Sequence, residues 1–220
     1  MTFLKISFSL IGVVLSASSL LAQTFSIGAK AGITANSTKF SYDNQFTYDP
    51  DNSVGLMASL QLERPLTSFV SLRLDGGLLQ KGLEDEIAIV PEDGSGDLQE
   101  VRDIRARINY ATFALLLKGN LPTGTYIIAG PRLDIKLGVD DDEIDFLPRS
   151  LENYLGATVF GFAVGVGQEF KLTPLLRVFL EAAYQHDLTD LYGPDAVTQI
   201  AGTLYKIESR AFSVVVGIRR

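Results

Sequence analysis

Apolar and polar residues alternate along most of this chain. In the stretch TYIIAGPRLDIKLGV, Ile127, Ala129, Pro131, Leu133, Ile135 and Leu137 share one parity, while Tyr126, Arg132, Asp134 and Lys136 share the other. A period of two places the two sets on opposite faces of a β-strand. The preceding run, YATFALLLKGN, is joined to it by LPTG, whose Pro122 and Gly124 mark a hairpin turn. Both runs exceed the five or six residues typical of soluble strands. They match the roughly 9–11 residues with which a tilted strand crosses a bilayer.

The same pattern recurs along the chain. Phe25–Ala35, Ser53–Leu62, Val70–Lys81, Arg105–Gly119, Thr125–Val139, Ala157–Leu172, Leu176–Asp187 and Tyr205–Ile218 all read as strands. Each has one face dominated by Leu, Ile, Val, Phe or Ala and a second face of Gly, Ser and ions. In the fourth run, Ala111, Phe113, Leu115 and Leu117 look outward, yet Asn109 has their parity. A bulge near the loop end of this run is expected to shift its phase.

Connections alternate in length. Glu63-Arg64-Pro65, LPTG at 121–124 and Thr173-Pro174 are short, whereas Asn36–Asn52, Gly82–Ile104, Gly138–Gly156 and Leu188–Leu204 are long. Outer-membrane barrels have an even strand number, short periplasmic turns and longer extracellular loops. Closing the sheet satisfies every backbone donor and acceptor where no water is available. The reading is therefore all-β: an eight-stranded antiparallel up-and-down transmembrane β-barrel. Such a barrel leaves an interior just wide enough for side chains or one small ligand.

The inward face supplies the candidate site. Lys30, Arg73, Asp75, Lys118, Arg132, Asp134, Lys136, Glu169, Arg177 and Glu181 would form a structural network of opposite charges filling the lumen. Unpaired, they would be costly to bury. Phe25, Tyr110, Phe170, Tyr184 and Tyr205 lie near strand ends and are candidates for interfacial girdles.

Met1–Ala22 reads as a cleaved secretory signal peptide. Lys5 gives a positive start, Ile6–Leu15 is mostly apolar and Ser16–Ser19 is small and polar. The barrel domain is then 23–220, reaching the outer membrane after crossing the inner one. The chain has 220 residues, no Cys and a net charge of −7. Thiolate metal sites and disulfides are excluded, and the acidic balance argues against nucleic-acid binding.

Catalytic candidates are weak. His186 is the single His, and its neighbour Asp187 points to the opposite face of a strand. Asp140, Asp141, Asp142, Glu143 and Asp145 do not have the spacing of an EF-hand loop. Gly161, Gly165 and Gly167 are not followed by a helix, as a nucleotide loop requires. No enzyme, cofactor or metal site is expected.

Several segments resemble the PorT-like family of outer-membrane β-barrels of the Bacteroidetes. They are YATFALLLK at 110–118, YIIAGP at 126–131, GVGQEF at 165–170 and EAAYQHDL at 181–188, together with the Ala22-Gln23 junction. Thr112, Ala114, Ala183 and Asp187 depart from the residues usual in that family, and the chain ends Ile218-Arg219-Arg220 without the terminal aromatic of such barrels. The resemblance implies an outer-membrane location. It also brings in secretion or assembly alongside structural and surface-interaction roles. Membrane lipid is the expected partner, with an envelope or cell-surface protein of unknown identity. The alternative is a soluble lipocalin-like barrel, which would point its apolar face inward around a small apolar ligand.

Overall fold

The structure is a computed structural model. It describes residues 25–42, 47–49, 51–89, 100–142, 156–189, 198–199 and 202–220. The proposed signal peptide, Glu143–Asp145 of the acidic run and part of each long loop lie outside these residues.

Eight long strands form the wall: β1 (Ser26–Tyr42), β2 (Ser53–Pro65), β3 (Val70–Ile89), β4 (Glu100–Asn120), β5 (Thr125–Asp142), β6 (Thr158–Lys171), β7 (Arg177–Asp187) and β8 (Gly202–Arg219). Each pairs antiparallel with its chain neighbour, and β1 pairs with β8, which closes the barrel. The closing ladder runs from Gly28 opposite Arg219 to Tyr42 opposite Leu204. Two short segments, Thr47–Tyr48 and Thr198–Gln199, add to β1 and β8 beyond the ring. The β4–β5 turn depends on Gly124, whose φ of 84° lies in the left-handed region.

Parity assigns the faces. In β2, strict alternation buries Ser53, Gly55, Met57, Ser59, Gln61 and Glu63, and exposes Val54, Leu56, Ala58 and Leu60. Leu56 is 65% exposed and Leu180 is 48% exposed, whereas Arg73 and Glu181 are each 1% exposed. The apolar belt continues around the wall through Ile33, Leu74, Phe113, Ile127, Phe160, Val166 and Val216. An exterior of this composition is at home in hydrocarbon, and an interior of ions is not arranged as in a lipocalin.

The bulge lies on a different strand from the one expected. Asn109 pairs with Gly138 and Tyr110 with Lys136, so the extra residue is Leu137 of β5. β4 keeps its phase. Asn109 does face outward, where its Oδ1 accepts a hydrogen bond from Gln80 Nε2 at 3.1 Å. Past the bulge β5 changes phase, and Val139 packs on the inner cluster of Met57, Leu79, Ile108, Tyr110, Val159 and Val215. The same ladder skips Gly130 and Pro131, where Pro131 has no N–H to contribute.

The connections are shorter than the sequence suggests because strands continue into them. β3 and β4 pair from Val70 opposite Gly119 to Ile89 opposite Glu100, well inside the expected loop Gly82–Ile104. β1 runs seven residues past Ala35, to Tyr42, and β5 reaches Asp142. β2, however, pairs with β3 only as far as Met57 opposite Leu79, and β6 with β5 only as far as Thr158 opposite Ile135. The pairing of β7 with β8 stops at His186 opposite Arg210. The loop end of the barrel therefore rises into two blades, β3–β4–β5 and β1–β8.

Candidate functional site

The lumen holds the polar residues that the strands point inward, and they group into three layers. In the middle layer, Lys30 Nζ lies 2.8 Å from both Asp75 and Glu181. Arg73 reaches Asp75 through Nε at 2.9 Å and Glu181 through Nη1 at 2.6 Å. The Tyr126 hydroxyl donates to Glu181 Oε2 at 2.9 Å. Each cation in this layer has a carboxylate, and desolvation is offset by short charge-assisted bonds.

The layer toward the long loops is built from Lys81, Arg132, Asp134 and Asp187. Lys81 Nζ is 2.8 Å from Asp187 and 3.1 Å from Asp134. Arg132 pairs with Asp134 at 3.2 Å and also with Asp187 and the Gln185 amide oxygen. Thr112 Oγ1 donates to Asp134 Oδ1 at 2.7 Å. Between these two layers lies a cavity of about 20 Å³ bordered by Lys30, Ser59, Asp75, Arg132, Glu181 and Gln185. Its size suits about one water molecule.

The layer toward the short turns contains Glu63, Lys118, Glu169 and Arg219. Lys118 Nζ is 3.0 Å from Glu63 and also pairs with Glu169. Arg219 pairs with Glu63, and its Nη2 is 2.7 Å from Glu169. Lys118 also lies over the Tyr126 ring, 4.3 Å from its centroid. Opposite that ring is Gly167. A Cβ there would come within 2.2 Å of Tyr126 Cζ, so the ring's position requires glycine. Leu116, Ile128 and Phe179 complete the apolar packing around it.

Of the residues expected in the lumen, Lys30, Arg73, Asp75, Lys118, Arg132, Asp134, Glu169 and Glu181 lie in these layers. Arg177 does not: its side chain is 46% exposed at the turn-end rim, held to Glu169 at 3.1 Å. Lys136 faces inward but is only half-buried, beside the β5 bulge. Glu63, Lys81, Asp187 and Arg219 were not anticipated as members of the network. Tyr110 is buried inside and takes no part in a girdle. Phe170 and Tyr184 do face outward, and Phe25 is partly exposed; the Tyr205 side chain lies outside the described residues. His186 faces the wall, its ring 5.5 Å from Phe162, while Asp187 faces the lumen. The two do not form a catalytic pair. Among the described residues, no group of three His, Cys, Asp or Glu is arranged to hold a metal.

Residues 21–193 match the model of the outer membrane protein beta-barrel domain family. The chain belongs to that family. As a member of it, the protein is an outer-membrane β-barrel whose belt contacts membrane lipid. A search of curated proteins finds no match. Solved outer-membrane proteins are matched at low identity, with TM-scores below 0.5. One is Ail, the attachment invasion locus protein of Yersinia pestis, in complex with the heparin analogue sucrose octasulfate. It is 12% identical, with 90% of this chain and 99% of that chain covered and a TM-score of 0.45. Neisserial surface protein A is 13% identical over 89% and 95% of the two chains, with a TM-score of 0.43. The outer membrane protease OmpT of Escherichia coli is 11% identical over 89% and 96%, with a TM-score of 0.40.

Proposed function

We propose that this outer-membrane barrel is a closed, non-catalytic anchor that presents its loop-end blades to an envelope or cell-surface protein. The observation behind this reading is the contrast between the barrel's two functional zones. Three layers of paired ions occupy the bore, and the cavity between two of them has room for about one water. Meanwhile β3, β4 and β5, at 20, 21 and 18 residues, far exceed the span that β7 achieves with 11. The surplus strand stands beyond the belt, where a rigid sheet offers a preformed surface to a partner.

On this reading the mature protein begins at Gln23, and the layers are structural. The PorT-like segments quoted above support a place for the chain among PorT-like barrels. A secretion role is not carried over, because those segments are strand positions of a barrel wall.

Two measurements test the proposal. The folded protein in planar bilayers should show no stepwise conductance. A photo-crosslinking residue at exposed Arg107 or Asp140 should give, in intact cells, an adduct of defined mass that Leu115 in the belt does not give. Conductance steps, or identical adducts at all these positions, would contradict the reading.

A further inference from the structure

We infer that the turn end of the barrel carries a binding site for the phosphate headgroup of an anionic glycerophospholipid, centred on Arg64 and Arg220. The inference uses the outer-membrane location and is independent of the surface-interaction reading.

The first support is charge. The chain as a whole is at −7. At the turn end, Arg64, Lys118, Lys171, Arg177, Arg219 and Arg220 stand against Glu63 and Glu169. The turns Leu66–Phe69, Leu121–Gly124 and Leu172–Leu176 contain no Asp or Glu. Glu63 and Glu169 are already shared among Lys118, Arg177 and Arg219. A surplus of positive side chains is therefore left facing outward and toward the rim.

The second support is placement. Arg64 and Arg220 have the outward parity of β2 and β8, on either side of the start of β1. Ile27 exchanges backbone hydrogen bonds with Arg220 at 2.9 and 3.1 Å, and Ser26 is paired with Glu63. Two ladder spacings separate their strands, about 10 Å. Side chains of that length converge readily on one phosphate. Arg64 already leans over the Phe25 ring, 5.6 Å from its centroid.

The third support is shape. Beside Arg220 lies a pocket of about 290 Å³ in which Arg177, Arg219 and Arg220 meet Phe25, Ile27, Pro174 and Leu175. One side is cationic and the other apolar. Near it, Ile218 of the lipid-facing belt and Phe170, Leu172 and Leu175 are each more than half exposed. A headgroup with its acyl chains attached fits both sides, whereas a free phosphate fits one. Outer-membrane barrels place their short turns at the periplasmic face, so the lipid would be a glycerophospholipid of that leaflet.

The test uses the folded full-length protein in micelles containing equal amounts of phosphatidylglycerol and phosphatidylcholine with the same acyl chains, read by native mass spectrometry. The wild type should retain phosphatidylglycerol preferentially. Arg64→Gln and Arg220→Gln should each reduce that preference about fivefold, as expected for one basic side chain at an anionic surface. Arg220→Lys should keep most of it, and Lys39→Gln, at the other end of the barrel, should leave it unchanged. Heat-modifiable gel mobility verifies that each variant is folded. Equal retention of the two lipids, a preference unaffected in the Arg64→Gln/Arg220→Gln double variant, or loss of it in Lys39→Gln would overturn the inference. So would displacement of the lipid by glycerol phosphate at comparable concentration, which would make the ligand a soluble phosphate.

Discussion

Arg73 and Glu181 meet across the lumen in a bidentate pair, Nη1 to Oε2 at 2.6 Å and Nη2 to Oε1 at 3.1 Å, although 108 residues separate them in sequence. Arg73 comes from β3 and Glu181 from β7, so the contact ties opposite sides of the barrel. Glu181 is also the acceptor for Lys30 and Tyr126. Removing it leaves two buried cations with only Asp75 between them. Glu181→Ala is expected to cost roughly 3–5 kcal/mol, the penalty of breaking a buried pair from one side. Urea titration in lipid vesicles, followed by circular dichroism, measures this. A cost within experimental error of zero would show that the middle layer carries little of the stability.

The Tyr126 ring and Gly167 make a second prediction. Gly167→Ala should destabilise the barrel by about 1–3 kcal/mol through overpacking against the ring. Tyr126→Leu in the same chain should recover much of that loss by vacating the space. A double-mutant cycle gives the coupling directly. Purely additive effects would mean that ring and glycine are not in contact.

The outer wall predicts a depth-dependent response to charge. Leu180→Arg places a guanidinium on the belt opposite the middle layer and should cost about 2–4 kcal/mol in a bilayer. Phe69→Arg, in a turn and 62% exposed, should cost no more than about 1 kcal/mol, as near an interface. Equal costs at the two positions would show that the belt does not sit in hydrocarbon.

The loop-side layer predicts a partner swap. Lys81 and Arg132 share Asp134 and Asp187. Asp187→Asn should destabilise the fold by several kcal/mol as both cations lose a shared carboxylate. Adding Lys81→Met, which removes one of those cations, should restore part of it. Equilibrium unfolding of the two variants decides the sign.

Sidedness was legible because a β-strand has a period of two, and burial follows the two parities along β2, β6 and β7 except at their turn ends, where Pro65, Lys171 and Arg177 are exposed on the inward parity. Strand ends were less legible. A reading that stops β2 at Leu62 assigns Glu63 to a turn, and one that stops β8 at Ile218 leaves Arg219 outside. Both are lumenal, because each strand continues past its last large apolar residue. Lys81 and Asp187 were lost similarly, as final residues before supposed loops. Thr112 and Asp187, two departures from the PorT-like pattern, both sit in the loop-side layer, where each meets Asp134 or its partners. The bulge was felt at Asn109, but sequence parity cannot tell which of two paired strands carries the extra residue. Length also misled: the polar composition of 82–86 and 100–104 reads as loop, while cross-strand pairing holds both as strand, together with the Ile87–Ile89 segment whose apolar residues suggest a strand extension.

The most direct measurement of the wall's two faces is a cysteine scan along β7, practicable because the chain has no native Cys. Single cysteines from 178 to 184, labelled with a fluorophore after folding into vesicles, would be challenged with a quencher carried on lipid acyl chains. The structure requires quenching at 178, 180, 182 and 184 and protection at 179, 181 and 183. Quenching of the odd positions instead, or of all positions alike, would contradict an apolar exterior closed around paired ions.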